Sequence, residues 1–350
     1  MTGFSRREFL TAAGLGVAVA GMTSACASCS TTPHSPETAP EPPKPLAKAL
    51  KPPAEALAGG RVVSRSDPAV FSTDGLDAAR VTDRVNRAVA ALVGVDDPRE
   101  AYRALFSPED VVAIKVNCLA GPGMSSSPAV VDAVIAGLVS IGVPFTSIWI
   151  FERTTAELER AGFTPNLDSE SRPRCLGNDT GGFTDELSTS GAVGSLWSRV
   201  LARRATALVN VPVLKDHDLA GVGCAMKNMY GAIHNPNRYH DDNCDPFVAD
   251  VGAHPFVRDK LRLVLADALT AQYDGGPARV PTYQWRPGTV LASRDPVAID
   301  RVAQKIIEEQ RAVHGLPSLV EAKRPPKWLA SAAARGLGVD DLSKIALDEG

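Results

Sequence analysis

Aromatic residues are scarce in this sequence, at 5%, which argues against platforms that stack nucleic-acid bases. Neither sign of charge dominates. The 37 Lys and Arg against 40 Asp and Glu leave a net charge of −3, which supplies no electrostatic footprint for nucleic acid. Nucleic acid is therefore not an expected partner. Beyond the N-terminal segment, no apolar run is long enough to span a bilayer. Four cysteines lie beyond residue 59, namely Cys118, Cys175, Cys224 and Cys244, and no two of them stand at C-x-x-C spacing. Among these four, iron–sulfur and zinc-ribbon spacings are thus missing. An oxidising compartment would allow three pairings of the four, but buried small apolar cysteines are the simpler expectation. The sequence also has no P-loop, no strand-linked G-x-G-x-x-G and no G-x-S-x-G, which removes two common nucleotide cradles and the usual hydrolase elbow.

Residues 1–27 read as a targeting segment. Ser5-Arg6-Arg7-Glu8-Phe9-Leu10 is a twin-arginine motif, and a short, weakly apolar stretch follows to Gly21. The export machinery for folded proteins is the partner this implies, with a periplasmic or lipid-anchored destination. Thr23-Ser24-Ala25-Cys26 resembles a lipoprotein cleavage box, although ordinary cleavage around Ala25-Cys26-Ala27 fits as well. A lipid on Cys26 would be the chain's only tie to a membrane. Residues 28–56 hold eight prolines among Ser, Thr, Glu and Lys. That composition cannot bury a core, so 28–59 is expected to be a disordered tether.

The region 60–350 is expected to be a single α/β domain. Its charged content of 22% and hydrophobic content of 44% are ordinary for a globular protein. Helical spacing of Leu76, Val81, Val85, Val89 and Leu92 predicts a helix over about 76–93. Val111 to Asn117 is a continuous β-branched run typical of a buried parallel strand. Further strands are predicted at 147–152, 207–211, 261–266 and 290–293. Helices are predicted at 98–105, from Ser127-Pro128 to about Ser140, at 154–161, at 195–204, and from Asp295-Pro296 to about Gln310. Residues 177–194 and 233–256 read as loops. Strands alternating with helices predict a mainly parallel sheet with helices on both faces.

Each predicted strand ends in polar residues: Lys115 and Asn117, then Glu152, then Asn210 leading to Lys215 and His217, then Asp267, then Ser293 and Asp295. In open parallel sheets ligands bind outside the carboxyl ends of the strands, so one site assembled from five segments is expected there. Lys227 and Asn228 follow a glycine-rich turn at Gly221 and Gly223. The catalytic candidates are His217, Lys215 and Glu152. The ligand-binding candidates are Lys115, Asn117, Asn210, Lys227, Asn228, Asp267 and Asp295. Lysines would hold negative charge, asparagines would orient it, and His217 would act as general acid or base with a pKa near working pH. Each also has a plainer role. Asp295 before Pro296 is most simply a helix cap, Asp300 suits the first turns of that helix, and Lys115 can pair with Glu152. Metal-ligand types occur at His217, His234, His240, His254, Cys224, Cys244, Asp241 and Asp242, without a recognised spacing, so metal and cofactor stay open.

With these residues in hand, the chain resembles the uncharacterised family catalogued as domain of unknown function 362. The matching pieces are Val112 to Asn117, Asn210 to His217, Met226 to Gly231, Asp274 to Pro277, and Ala292 to Asp300. The resemblance covers about 110–310 and implies the fold and the site more than any chemistry. The sequence departs from the family at Asp216, where a small Thr or Ser is usual. It also departs in lacking the paired ferredoxin-type cysteine clusters of many relatives, which argues against direct electron transfer. The expected function is an exported enzyme that acts on a small anionic or carbonyl substrate by acid/base chemistry, with a metal or redox partner left open. The alternative is a non-catalytic ligand- or cofactor-binding protein tethered to a membrane.

Overall fold

The computed structural model describes residues 60–73 and 75–350. The twin-arginine motif, Cys26 and the whole proline-rich segment lie outside the described residues. Eleven strands form one sheet: β1 Arg61–Ser66, β2 Val112–Val116, β3 Ile148–Glu152, β4 Arg174–Gly177, β5 Ala207–Val211, β6 Val213–His217, β7 Gly221–Val222, β8 Leu261–Gln272, β9 Gln284–Trp285, β10 Thr289–Ser293 and β11 Ala346–Glu349. The main path runs β11-β1-β10-β8-β5-β2-β3-β4, with β6 beside β7 and β8, and β9 beside β8. The centre is parallel. Lys115 stands between Phe151 and Asn210 in the register of β2 with β3 and β5. All five residues of β2 are buried, as a strand covered on both faces requires.

Side chains alternate between two cores. Val112, Ile114 and Val116 face helices α1 (Ala78–Val93), α2 (Pro98–Leu105) and α3 (Pro128–Ser140), in a core that includes Val85, Tyr102 and Val134. Ala113, Leu208 and Val264 face the other core, which holds Val297 and Val302 of α6 (Pro296–Val313). The short helices α4 (Ala225–Asn228), α5 (Phe247–Ala253) and α7 (Trp328–Ala334) also contribute to it. The fold is α/β, with a mainly parallel sheet between helical layers.

Two departures from the predicted strands decide where the site lies. First, β8 does not stop at Asp267 but continues to Gln272. Its first half pairs in parallel with β5, and its second half pairs in parallel with β6. Pro212 separates β5 from β6. It has no N–H to donate to the ladder, and its carbonyl accepts the Asp267 N–H at 2.8 Å. The offset carries β6 beyond the carboxyl end of β5, with Lys215 and His217 on its tip. Second, β10 runs antiparallel to both β8 and β1. Its carboxyl end therefore lies at the opposite edge of the sheet from those of β2, β3 and β5.

Other differences are local. The helix predicted over 195–204 is only one wide turn, Val200–Arg204, because 193–195 pairs as a strand with 188–190. The stretch 233–256, predicted as loop, contains α5. The strand β4 and the single-turn helix Asn178–Gly181 were not foreseen. Among the described residues no helix is long and apolar enough to cross a membrane.

Candidate functional site

The carboxyl ends of β2 and β3, the tip of β6, and α4 enclose a cavity of about 350 Å³, whose walls include Lys115, Asn117, Glu152, Lys215, His217, Lys227 and Asn228. Gly223, between β7 and α4, and Pro277, from the loop after β8, also face it. Gly231 forms part of the floor, and a Cβ there would lie 2.7 Å from Lys115 Nζ and 2.9 Å from Glu152 Oε1. The ion pair below can pack as it does because this position carries no side chain.

Lys115 and Glu152 form a buried ion pair at 2.9 Å, with side-chain exposures of 1% and 5%. Burial of a charge is tolerable only when its hydrogen-bonding capacity is used. Lys115 Nζ also donates to the Val116 carbonyl at 2.6 Å and to Asn228 Oδ1 at 3.3 Å. Glu152 accepts the Cys118 and Arg153 backbone N–H groups at 3.1 and 2.7 Å. From this pair a chain of amides runs in one direction. Asn117 Nδ2 donates to Asn228 Oδ1 at 3.0 Å. Asn228 Nδ2 donates to Asn210 Oδ1 at 2.7 Å, and Asn210 Nδ2 donates to the Ala225 carbonyl at 2.7 Å. Lys215 Nζ donates to Asn117 Oδ1 at 2.9 Å. An ammonium has only donors, so both amide oxygens that face a lysine are pinned and no amide in the chain can flip.

Lys215 and Lys227 differ from Lys115. Among the described residues neither has a carboxylate within ion-pair distance. Among the described residues Lys215 reaches, besides Asn117, the Pro277 carbonyl at 3.4 Å. Lys227 Nζ lies 3.1 Å from His240 Nε2 and 3.6 Å from the centre of the Tyr230 ring. Burial pushes the pKa of each down to about 8, because a low dielectric disfavours the charged form. An anion in the cavity would reverse that penalty.

His217 does not match its expected role as a base near working pH. Its Nδ1 accepts the Leu219 and Ala220 backbone N–H groups at 3.1 and 3.2 Å. Asp218 Oδ1 lies 3.0 Å from the same nitrogen. Two N–H donors aimed at Nδ1 make it an acceptor, so no ring proton is there to meet Asp218, and the hydrogen-bond network puts the proton on Nε2. Burial, the largest cause, pushes the imidazole pKa down to about 4. A neutral ring on the cavity wall, with Nδ1 occupied by the backbone, offers an Nε2–H hydrogen bond rather than accepting a proton.

Three expected site residues lie elsewhere. Asn210 is buried beneath the cavity and acts through Asn228. Asp267 is in the middle of β8, and its carboxylate accepts the Ser127 and Leu269 N–H groups at 2.7 and 3.0 Å. It ties the start of α3 to the sheet, and burial pushes its pKa up to about 6. Asp295, at the far edge because β10 is antiparallel, caps α6 by accepting the Val297 and Ala298 N–H groups.

Two acids that hold the site in place were not recognised as such. Asp300 of α6 accepts the Ala225 and Met226 N–H groups at 2.6 and 2.8 Å. It thereby caps α4, the turn that presents Lys227 and Asn228, and burial pushes its carboxyl up to about 7. Asp216 points away from the cavity, as its place between Lys215 and His217 on a strand demands. It accepts Arg324 Nη1 at 2.6 Å and the Gly276 N–H at 2.8 Å. Asp216 thus has a charged partner, Arg324, from near the C-terminal end of the chain. All four described cysteines are buried and free. Among the described residues no three His, Cys, Asp or Glu side chains converge as metal ligands.

No curated protein matches the chain. The family model described as "Domain of unknown function (DUF362)" matches residues 112–305, a span that runs from β2 into α6 and includes every cavity-lining residue named above. The chain belongs to that family.

Proposed function

We propose that this chain is an exported protein whose cavity takes a small anionic ligand, a carboxylate or phosphate. One observation carries the reading: two buried ammonium groups, Lys215 and Lys227, share a cavity without a carboxylate partner for either. Lys115 is no third anchor, because Glu152 already neutralises it. The neutral His217 adds an Nε2–H donor, the pinned amide of Asn117 holds Lys215 in place, and His240 and the Tyr230 ring flank Lys227. Glu152, with three donors on its two oxygens, is a positioning residue rather than a base.

Turnover is a second reading, and Lys215 favours it. With its pKa near 8, this amine can take or give a proton close to neutral pH. On a ligand that carries a carbonyl next to its anionic group, Lys227 and the His217 Nε2–H would hold the anion while Lys215 moves the proton. In thermal unfolding of the purified protein with inorganic phosphate, malonate and pyruvate, at least one anion should stabilise the fold, by about 2.7 kcal/mol at a hundredfold excess over its Kd. Lys215→Ala should abolish that response while the protein remains folded. An equal response from wild type and Lys215→Ala would exclude the anchor role. Proton exchange into pyruvate, followed by NMR in deuterated buffer, separates turnover from binding alone.

Export rests on Arg6-Arg7 ahead of a short apolar run. Replacing both with Lys should strand the protein in the cytoplasm, and normal export of that variant would remove the assignment. Lipidation of Cys26 is tested by the intact mass of the mature protein. An N-terminus at Cys26 with added acyl mass supports it, whereas an unmodified N-terminus at Ser28 rules it out.

A further inference from the structure

A second cavity, of about 260 Å³, lies on the α6 face of the sheet, where β8 begins and β10 ends. Its chemistry is unlike the first. The walls include Met226, Met229, Val257, Leu261 and Leu337, with the charged side chains Arg258, Arg294 and Asp295. Arg258 pairs with Asp259 at 2.8 Å, which leaves Arg294 as the lining cation without a carboxylate among the described residues. The Nε and Nη2 atoms of Arg294 are buried and have no hydrogen-bond partner. Among the described residues no carboxylate lies within ion-pair distance of its guanidinium. The adjacent carboxylate cannot serve. Asp295 Oδ1 accepts the Val297 and Ala298 N–H groups, and Oδ2 accepts the Val339 N–H at 2.9 Å. Burial disfavours the charged form of Arg294, and the positive charge of Arg262 adds to that cost. A half-buried guanidinium with two unmet donors is costly. Its planar donors fit a carboxylate in a two-point grip, and the sulfur and aliphatic walls fit a hydrocarbon body.

We infer that this cavity is a binding site for a monocarboxylate with a hydrocarbon chain, gripped at its head by Arg294 and packed along its body by Met226, Met229 and Leu337. It is separate from the lysine cavity but shares α4 with it, since Met226 lines one and Lys227 the other. A ligand with no apolar body would leave the walls empty, and a neutral ligand would leave Arg294 unpaired. Both halves are therefore needed for affinity.

Calorimetric titration of the full chain with hexanoate, acetate and hexanol tests this directly. Hexanoate should bind, and acetate and hexanol should each bind at least about tenfold more weakly. Arg294→Met, which keeps an apolar stem and removes the unpaired charge, should lose the preference for hexanoate over hexanol. Arg294→Lys should keep part of it. The phosphate or malonate response of the lysine cavity should survive in both variants, so failure of one site is distinguishable from failure of the other. No hexanoate binding to folded wild type would overturn the inference. Unchanged hexanoate binding by Arg294→Met, or hexanol binding equal to hexanoate, would do the same. If Arg294→Met does not fold, the comparison of hexanoate with hexanol on wild type still decides.

Discussion

At the scale of single residues, what separates the three lysines is the partner each has. Lys115 is locked to Glu152, and the pair is nearly sealed from water. Removing one member of such a pair strands the other, at a cost of about 3–5 kcal/mol, whereas removing both charges is often nearly neutral. Lys115→Met should therefore destabilise the fold by about that amount in urea unfolding, and adding Glu152→Gln should restore at least about 1 kcal/mol. Strictly additive losses would show that the pair is not coupled, and hence that the cavity floor is held some other way. Lys215 and Lys227 lack such a partner, and that difference was only partly legible in the sequence. The clustering of lysines and asparagines at strand ends could be read from residue types alone. The pairing of Lys115 with Glu152 was among the plainer roles the residue types allowed, and the register realises it, because Lys115 stands beside Phe151 and so brings its ammonium to the next residue along β3. The tautomer of His217 was not legible, since it follows from two backbone N–H groups of a turn that only the folded chain makes.

At the scale of elements, the site depends on a four-residue helix that cannot stand by itself. α4 spans Ala225–Asn228, far short of the length at which a helix is stable in isolation. Its first N–H groups point at Asp300 from α6, 75 positions away in the case of Ala225. Local reasoning put Asp300 in the favourable first turns of its own helix and so missed the cap it provides to another. Deleting it leaves two buried donors unmet, each costing about 1–3 kcal/mol. Asp300→Ala should lower stability by about 2–4 kcal/mol and weaken anion binding as well, although it touches no ligand. Asp300→Asn, which keeps one good acceptor, should lose less of both. If Asp300→Ala loses stability but binds anions as wild type does, α4 is not positioned by this cap. The strands were legible to within a residue or two where short runs were mostly apolar, as in β2 and β5. The direction of β10 was not, because the short apolar run Val290-Leu291-Ala292 carries no sign of whether it runs parallel or antiparallel. That missing direction alone misplaced Asp295 by the full width of the sheet.

At the scale of the whole molecule, the lysine cavity makes stability and ligand affinity respond to pH with opposite signs. Lys215 has a folded pKa of about 8 against an ordinary value of 10.5. Between those two values the unfolded chain binds more protons than the folded one, so unfolding becomes harder as pH rises through that window. Below about 8 both states carry the proton, and the folded state bears the full cost of a buried charge, on the order of 1–3 kcal/mol. Lys227 titrates in the same window for the same reason, as does Lys260, which burial also holds at about 8. Other groups contribute to any raw pH profile, so the useful quantity is wild type minus Lys215→Met. Without ligand, the variant should be the more stable protein at pH 7, and its advantage should shrink toward pH 10. Anion binding runs the other way, since it needs the ammonium. Affinity should be highest below pH 8 and fall above it, by about tenfold per pH unit for each lysine whose proton is required. Denaturant midpoints at pH 7 and 10, with phosphate titrations at the same two values, give both signs from one preparation. If the variant's advantage is the same at both pH values, Lys215 is not a buried charge in the free protein. If phosphate affinity is also flat across that range, the cavity does not hold its ligand by ammonium groups at all.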